Sequence, residues 1–155
     1  MSVGKAMEIK EKENQMPITV TAPKGVLTPA GEREILPRLS AALIEASGAT
    51  GNAFFTAIVG GTVHVLPPHQ IYAGGANRPV VMVELKLPNI GLGSIEARNA
   101  FITSAAGIVA ELCVPGHKPE NTWINIVNAP DGGWGIGGQQ YTGDQLVAAA
   151  SAAAH

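Results

Sequence analysis

Two stretches of the chain carry the same features in the same order. One begins at Pro17 and the other at Pro79, and each passes from a strand-like run through a glycine-containing turn to an apolar helical stripe. A second strand-like segment follows each helix, "FFTAIVGG" from Phe54 and "TWINIVN" from Thr122. The sequence therefore predicts two β-α-β units in tandem.

Helix signals mark the middle of each unit. Thr28 and Ser94 are of the residue types preferred at a helix N-cap. Apolar residues at helical spacing form one face in the second unit, namely Phe101, Ala105, Ile108 and Leu112. The first unit offers Leu36, Leu39 and Leu43. There, Pro37 is expected to kink or interrupt the helix, at a cost of about 3 kcal/mol in a helix interior.

These units predict the fold class. Parallel strands joined by a helix cross over in a right-handed sense, so two units give a four-stranded mixed sheet with both helices on one face, an α/β fold of the α+β type. The run "VVMVELKL" is nearly continuous in apolar residues, so we expect its strand to be buried on both faces. Two helices cover only one face. We therefore expect other subunits to cover the second face in a closed homo-oligomer.

Composition limits the classes of function. The chain has 155 residues, 46% of them hydrophobic and 14% charged, as expected of one globular domain. Its formal net charge is −2 and its Lys and Arg residues are not clustered, so we expect no nucleic-acid partner and no anionic membrane surface. No apolar run approaches the roughly 18 residues that cross a bilayer. Residues 1–15 are too charged for a signal peptide, and we expect a cytoplasmic protein.

The patterns divide the chain into three segments. A polar N-terminal extension covers residues 1–15, the repeat domain covers residues 16–143, and an alanine-rich tail covers residues 144–155. We expect the tail to be a frayed helix or a mobile end. Cys113 lies in "GIVAELCV", which has the pattern of a buried helical face, so a packing thiol is predicted rather than a nucleophile.

Two apparent ligand motifs have structural explanations. The glycines of "GWGIGG" match part of a dinucleotide fingerprint, but too few residues follow for the helix, strand and acidic residue of such a site. We predict a hairpin there and no cofactor. His64 and His69 flank prolines and have no third ligand near them in sequence, so we expect no metal site.

Five short segments, in order, resemble the tautomerase superfamily, in particular the long-subunit branch related to 4-oxalocrotonate tautomerase and macrophage migration inhibitory factor. They are "MPITV", "LPPHQIYAGG", "LPNIGLG", "PENTWINIVN" and "GWGIGG", and they span about Met16 to Tyr141. The resemblance implies a tautomerase-like domain over residues 16–143. It also implies cofactor-independent chemistry on a small-molecule substrate, in a homotrimer with pockets at the subunit boundaries.

The resemblance also implies site residues. Pro17 matches the amino-terminal proline that acts as general base, while Ile90, Trp123 and Asn125 match residues that line the pocket. Trp134 is a further candidate for the apolar wall, and Asn125 or backbone N–H groups are candidates for stabilising an enolate oxygen. Packing in the core or in turns is the alternative interpretation of Ile90, Asn125 and Trp134.

The carboxylate-binding residues of the family have no match here. The lysine that follows the first helix in the inhibitory-factor branch falls near Ala49 and Thr50, and "LPNIGL" lacks the arginine pair of the dehalogenases. We therefore do not expect hydrolytic dehalogenation. Lys24 and Lys86 occupy equivalent positions in the two units, either as solvated strand ends or as carboxylate ligands. Lys24 is the preferred candidate because it shares a strand with Pro17.

The extension before Pro17 leaves two functions open. An internal proline nitrogen is a tertiary amide whose lone pair is delocalised, so it cannot accept a proton near neutral pH. With residues 1–16 removed, Pro17 becomes a secondary amine, and the sequence predicts keto–enol tautomerisation of a small 2-keto acid. With Pro17 internal, it predicts a catalytically inactive oligomer that acts as a scaffold or a small-molecule binder.

Overall fold

The computed structural model describes residues 16–153. Its first unit consists of β1 (Met16–Pro23), α1 (Pro29–Ala46), α2 (Ala53–Ile58) and β2 (Val59–Leu66). Its second unit consists of β3 (Val81–Leu87), α3 (Ile95–Leu112) and β4 (Thr122–Asn128). The short strands β5 (Trp134–Ile136) and β6 (Gln139–Tyr141) follow, and then α4 (Gly143–Ala153).

The four long strands form one mixed sheet in the order β2-β1-β3-β4. Each unit contributes a parallel pair, β1 with β2 and β3 with β4. The antiparallel pairing of β1 with β3 joins the units in the middle of the sheet. The predicted fold class is therefore confirmed.

Both predicted helix caps are present. The Thr28 hydroxyl oxygen accepts a hydrogen bond from the Gly31 N–H at 2.9 Å, and the Ser94 hydroxyl oxygen accepts one from the Ala97 N–H at 3.1 Å. Each bond satisfies one of the N–H groups that the first turn of a helix leaves without a backbone partner.

The long helices pack against one face of the sheet and form a single core with it. All four residues of the predicted α3 stripe are buried, and Phe101 is completely inaccessible to solvent. On α1, Leu39 and Leu43 are buried, whereas Leu36 is half-buried at the core margin. We call the other face of the sheet the outer face.

Helix α1 continues through Pro37, contrary to the predicted interruption. The ring of Pro37 is exposed, so water can reach the carbonyl that loses its helical partner. On the opposite side of α1, Ile35 and Leu39 are fully buried. Their burial, worth about 1.5 to 3 kcal/mol each, outweighs the local cost of the proline.

The predicted strand from Phe54 begins later than expected. Residues Ala53–Ile58 form the short helix α2, and β2 starts at Val59. The Asn52 side-chain oxygen accepts hydrogen bonds from the N–H groups of Phe54 and Phe55, at 2.9 and 3.2 Å. This N-cap overrides the strand preference of the aromatic pair.

Within one protomer, β3 is buried on its helical face only, and burial of its outer face by other subunits stays a prediction. Its residues alternate, with Val81, Val83, Leu85 and Leu87 buried against the helices. The outer face of β3 carries Met82, Glu84 and Lys86, and the last two form an exposed ion pair at 3.5 Å. Apolar content in the sequence therefore overstated the hydrophobic character of the outer face, because only Met82 is apolar there.

The chain ends in a hairpin and a packed helix. Strands β5 and β6 are antiparallel, and Gly137 and Gly138 between them have φ of +58° and +82°, as the tight turns of two-residue hairpins require. The alanine-rich tail forms α4, whose Leu146 is buried in the main core. No helix within residues 16–153 is long and apolar enough to cross a membrane.

Truncation of Leu146 tests whether α4 is part of the core. Leu146 is 3% exposed and Val147 is 51% exposed. We expect Leu146→Ala to lower the free energy of unfolding by about 2 to 5 kcal/mol, because it leaves a cavity. The matched variant Val147→Ala should change it by less than about 0.5 kcal/mol. Denaturant unfolding measures both, and equal midpoints would mean that α4 does not contribute to the core.

Candidate active site

Pro17 is the second residue of β1 and is half-buried on the outer face. Its Cα is paired with Gly60 of β2, and the neighbouring Ile18 is paired with Leu85 of β3. Met16, the first residue of β1, points to the helical side and is 3% exposed. Residue 17 therefore lies at the start of the central strand pair, with its nitrogen bonded to a core residue.

An apolar cavity of about 140 Å³ lies beside Met16. Phe55 of α2 and Ala97 of α3 contribute to its walls, together with residues 90–93 of the loop that follows β3. Ile90, predicted as a pocket residue, is thus placed at the same end of the sheet as Pro17. A Cβ on Gly143 would lie 2.7 Å from Ile90 Cγ2, so the start of α4 closes against this side chain.

Hydrogen bonds fix the loop that carries Ile90. The Asn128 side-chain amide donates to the carbonyl oxygens of Pro88 and Gly91, both at 2.8 Å. The Arg98 Nε–H donates to the carbonyl oxygen of Leu92 at 2.9 Å. Sequence reasoning missed Asn128 and Arg98, because their role depends on the β3–β4 pairing and on how α3 meets the loop.

Trp123 and Asn125 lie on the outer face of β4, the edge strand next to β3. Trp123 is paired with Met82, which is paired with Thr21 of β1. Thr21 is four residues from Pro17, so Trp123 is displaced from Pro17 by about 13 Å along the strands and by two strand spacings across them. One protomer therefore does not bring Pro17 and Trp123 together.

Trp134 lies on β5 and is half-buried against the main core. Its indole N–H is buried and has no hydrogen-bond partner within residues 16–153. A buried donor without a partner costs about 1 to 3 kcal/mol. The indole is therefore free to donate to a group that residues 16–153 do not contain.

The two candidate lysines lie at opposite ends of the sheet. Lys24 follows the last residue of β1 and is separated from Pro17 by about 20 Å of extended strand. Lys86 lies one step beyond the Ile18–Leu85 pair, which places it across from Pro17 on the outer face. Within a protomer, Lys86 rather than Lys24 is the lysine beside Pro17, but its ammonium is already paired with Glu84.

The other reactive side chains are placed as packing or surface residues. Burial raises the pKa of the Cys113 thiol to about 11, so the thiol stays protonated at neutral pH and is a poor nucleophile. His64 lies on the outer face of β2, with Nε2 at 2.9 Å from Thr62 Oγ1, and His69 lies in a short 3₁₀ turn. Within residues 16–153 no three His, Cys, Asp or Glu side chains are grouped to hold a metal ion.

Solved structures of tautomerase-superfamily proteins share this fold. The match to Pt0534 inactivated by 2-oxo-3-pentynoate has 22% identity and a TM-score of 0.64, and covers 83% of this chain and 97% of that one. For a fused 4-OT described as a symmetric trimer, the identity is 18%, the TM-score 0.66 and the coverage 83% and 97%. The match to macrophage migration inhibitory factor of Toxoplasma gondii has 15% identity and a TM-score of 0.60, and it covers 81% of this chain and 99% of that one.

Sequence comparison alone finds no such relationship. No protein-family model matches the chain, and no curated protein matches it. At 22% identity or less, the structural similarity establishes a common fold. The tautomerase resemblance inferred from the sequence motifs is confirmed at that level.

Removal of the Asn128 amide tests whether this residue positions the loop at the cavity. We expect Asn128→Ala to lower the free energy of unfolding by about 1 to 3 kcal/mol, because two loop carbonyls lose their donor. Amide hydrogen exchange should also accelerate over residues 90–93. Asn99→Ala, on the exposed face of α3, is the control and should alter neither measurement. Unchanged exchange in Asn128→Ala would show that the Asn128 amide does not hold the loop, which would leave the Arg98 hydrogen bond and packing to fix it.

Proposed function

We propose that the chain is a cofactor-independent tautomerase that moves a proton between carbon and oxygen of a small 2-keto acid or its enol. The observation that carries the proposal is the position of Pro17 at the head of a central strand, directly after Met16, which lines an apolar cavity, in a fold shared with tautomerases. Pro17 is the general base in this reaction. Its nitrogen becomes available when residues 1–16 are removed.

The proton transfer uses one secondary amine. The neutral Pro17 nitrogen takes a proton from the carbon next to the ketone, and the C–H electron pair forms the enolate double bond while the carbonyl electrons move to oxygen. The resulting ammonium then returns the proton to that oxygen, which gives the enol. Apolar surroundings disfavour the ammonium and lower its pKa, which brings a secondary amine closer to the working pH.

Removal of residues 1–16 affects the size of the site as well as the base, because Met16 is removed with them. Its side chain forms part of the wall of the 140 Å³ cavity, which is smaller than the roughly 300 Å³ at the lower end of ligand pockets. Removal of residues 1–16 takes this side chain away. The same cut therefore exposes the Pro17 amine and enlarges the apolar space next to it.

The proposed site draws on two copies of the chain. Trp123 lies about 13 Å along the strands and two strands across from the Pro17 of its own protomer, too far to share a small substrate with it. A neighbouring protomer therefore supplies Trp123, together with Asn125 of the same strand. Strand β4 is an unpaired edge within residues 16–153, and its outer face exposes Trp123 and Val127. Fused 4-OT is described as a trimer, and we propose a homotrimer here.

A second candidate function is a catalytically inactive oligomer of the same fold, either a scaffold or a small-molecule binder. Its supporting observation is the burial of Met16, which is 3% exposed and is paired with Val59 as a regular residue of β1. In that state the Pro17 nitrogen is a tertiary amide and cannot serve as base.

Ketonisation of enol-phenylpyruvate, followed by ultraviolet absorbance, separates the two functions. We expect a chain that begins at Pro17 to accelerate the reaction, and the full chain, if its mass shows residues 1–16 retained, to be inactive. Pro17→Ala in the shortened chain replaces the ring amine by a more mobile primary amine. We expect a loss of about 10²-fold or more in kcat/KM, within the range for a general base.

The opposite results are equally informative. Equal turnover by the shortened chain and by an intact full chain would eliminate Pro17 as the base. Absence of turnover in both, with native folding, would favour the inactive oligomer.

Light scattering tests the assembly. We expect about three times the protomer mass of 15.9 kDa at micromolar concentration. Val127→Lys places a charge on the exposed face of β4 and should shift the mass towards that of the monomer. Val147→Lys, at an exposed position of α4, is the control and should leave the mass unchanged. A monomeric unmodified chain would contradict the trimer.

A further inference from the structure

A second open space lies at the end of the sheet opposite Pro17. It is a cleft of about 500 Å³ at the N-terminal ends of β3 and β4. Its polar wall consists of Arg78, His117, Lys118, Glu120 and Asn121. The resemblance to tautomerases assigned no role to any of these residues.

Arg78 is held in place from three sides. Its Nη2 donates a 2.7 Å hydrogen bond to the side-chain oxygen of Asn121, which is only 8% exposed. The guanidinium carbon lies 6.0 Å from the centroid of the Trp123 ring, a cation–π contact. Gly74 packs against Nη1, since a Cβ at Gly74 would lie 3.1 Å from that nitrogen. The guanidinium is therefore oriented before any ligand arrives.

No carboxylate within residues 16–153 forms an ion pair with Arg78. The ion pairs within residues 16–153 are Arg38 with Glu111 and Lys86 with Glu84, and neither includes Arg78. A half-buried guanidinium with a neutral amide as its hydrogen-bond partner retains its full charge and most of its five donors.

The cleft as a whole has a net charge of +1. Arg78 and Lys118 contribute two positive charges, and Glu120 contributes one negative charge. Burial lowers the pKa of His117 below its usual 6.5, so the ring is neutral at pH 7, and its Nε2 lies 2.8 Å from Thr122 Oγ1. One net positive charge matches a monoanion, and Glu120 opposes a ligand with two negative charges.

We propose that this cleft binds a small organic monocarboxylate, with Arg78 as its main ligand. The planar guanidinium donates two parallel hydrogen bonds to a carboxylate, and Asn121 and Trp123 set its orientation. Lys118 adds a second, more mobile positive charge. Asn121 acts on the ligand only through Arg78 and is a positioning residue.

If the chain has the proposed function, the bound carboxylate is that of the 2-keto acid substrate. This part of the inference rests on the proposed function. Arg78 stacks on Trp123. In the proposed active site a neighbouring protomer supplies Trp123 next to Pro17, and the same protomer therefore supplies Arg78 there. Arg78 then supplies the cation that is absent at Ala49, Thr50 and "LPNIGL". Lys86 is the competing cation near Pro17, but it is exposed and paired with Glu84. Arg78 is held by Asn121 and forms no ion pair in the part of the chain that the structure describes.

Binding of benzoylformate tests the inference without relying on catalysis. Benzoylformate is a 2-keto monocarboxylate with no hydrogen on the carbon next to the ketone, so a tautomerase cannot turn it over. Calorimetric titration should give binding at millimolar concentration or below. Arg78→Gln should raise Kd by about 10- to 100-fold, the effect expected for losing charge-assisted hydrogen bonds. Arg78→Lys keeps the positive charge but loses the two parallel N–H donors of the guanidinium, and it should raise Kd by a smaller factor.

Two controls assign the effect to the cleft. Arg33→Gln, on the exposed face of α1, should leave Kd unchanged, and so should Lys86→Gln. The neutral methyl ester of benzoylformate should bind equally to the unmodified chain and to Arg78→Gln. Circular dichroism and thermal unfolding establish that each variant is folded. If Arg78→Gln does not fold, the Kd values of Arg78→Lys and Lys118→Gln are compared with that of the unmodified chain instead.

The outcomes separate this inference from the proposed function. No benzoylformate binding by the shortened and full chains at millimolar concentration, or the same Kd in the Arg78 variants, would overturn the carboxylate site. A Kd that rises in Lys86→Gln instead would assign the carboxylate to Lys86 and overturn it as well. Binding through Arg78 in a chain that turns over no enol would support the site and overturn the tautomerase proposal alone.

Discussion

The antiparallel pairing of β1 with β3 determines where every candidate residue lies. It places the start of β1 beside the end of β3, so Pro17 lies across from Lys86 and at the same end of the sheet as the loop that carries Ile90. Because β4 is parallel to β3, the same pairing sends Trp123, at the start of β4, to the opposite end of the sheet. A parallel junction between the two units would reverse both placements.

The helix caps, the buried helical stripe and the hairpin could be predicted because they depend on residue type and on the spacing of apolar residues along the chain. The caps at Thr28 and Ser94 and the buried stripe of α3 follow from residue type and spacing, and the hairpin after Trp134 follows from its glycines. The errors have a different physical origin. The Asn52 cap converts "FFTAI" into a helix, and core packing carries α1 through Pro37. In both places a contact outside the pattern decided the conformation.

The site could be predicted only in part, because the distance between two residues in a sheet depends on strand pairing and cannot be derived from their separation in the sequence. Lys24 and Pro17 share a strand, but the length of that strand separates them, whereas Lys86 is distant in sequence and close in the sheet. Arg78 was missed for a related reason. Its significance comes from Asn121, Trp123 and Gly74, which lie 43, 45 and 4 residues away in the sequence and meet only where β3 and β4 begin.

Met16 links processing to assembly. In the intact chain its buried side chain completes the core at the start of β1, a contribution of about 1.5 to 3 kcal/mol for a residue of this type. Removal of residues 1–16 forfeits that contribution at the place where a substrate would enter. Within residues 16–153, Phe55, Ile90 and Leu92 already line the cavity that Met16 also lines. In the homotrimer proposed above, contacts from a neighbouring copy would offset this loss, so the cut proposed to free the Pro17 amine would also make the fold depend more strongly on its oligomer.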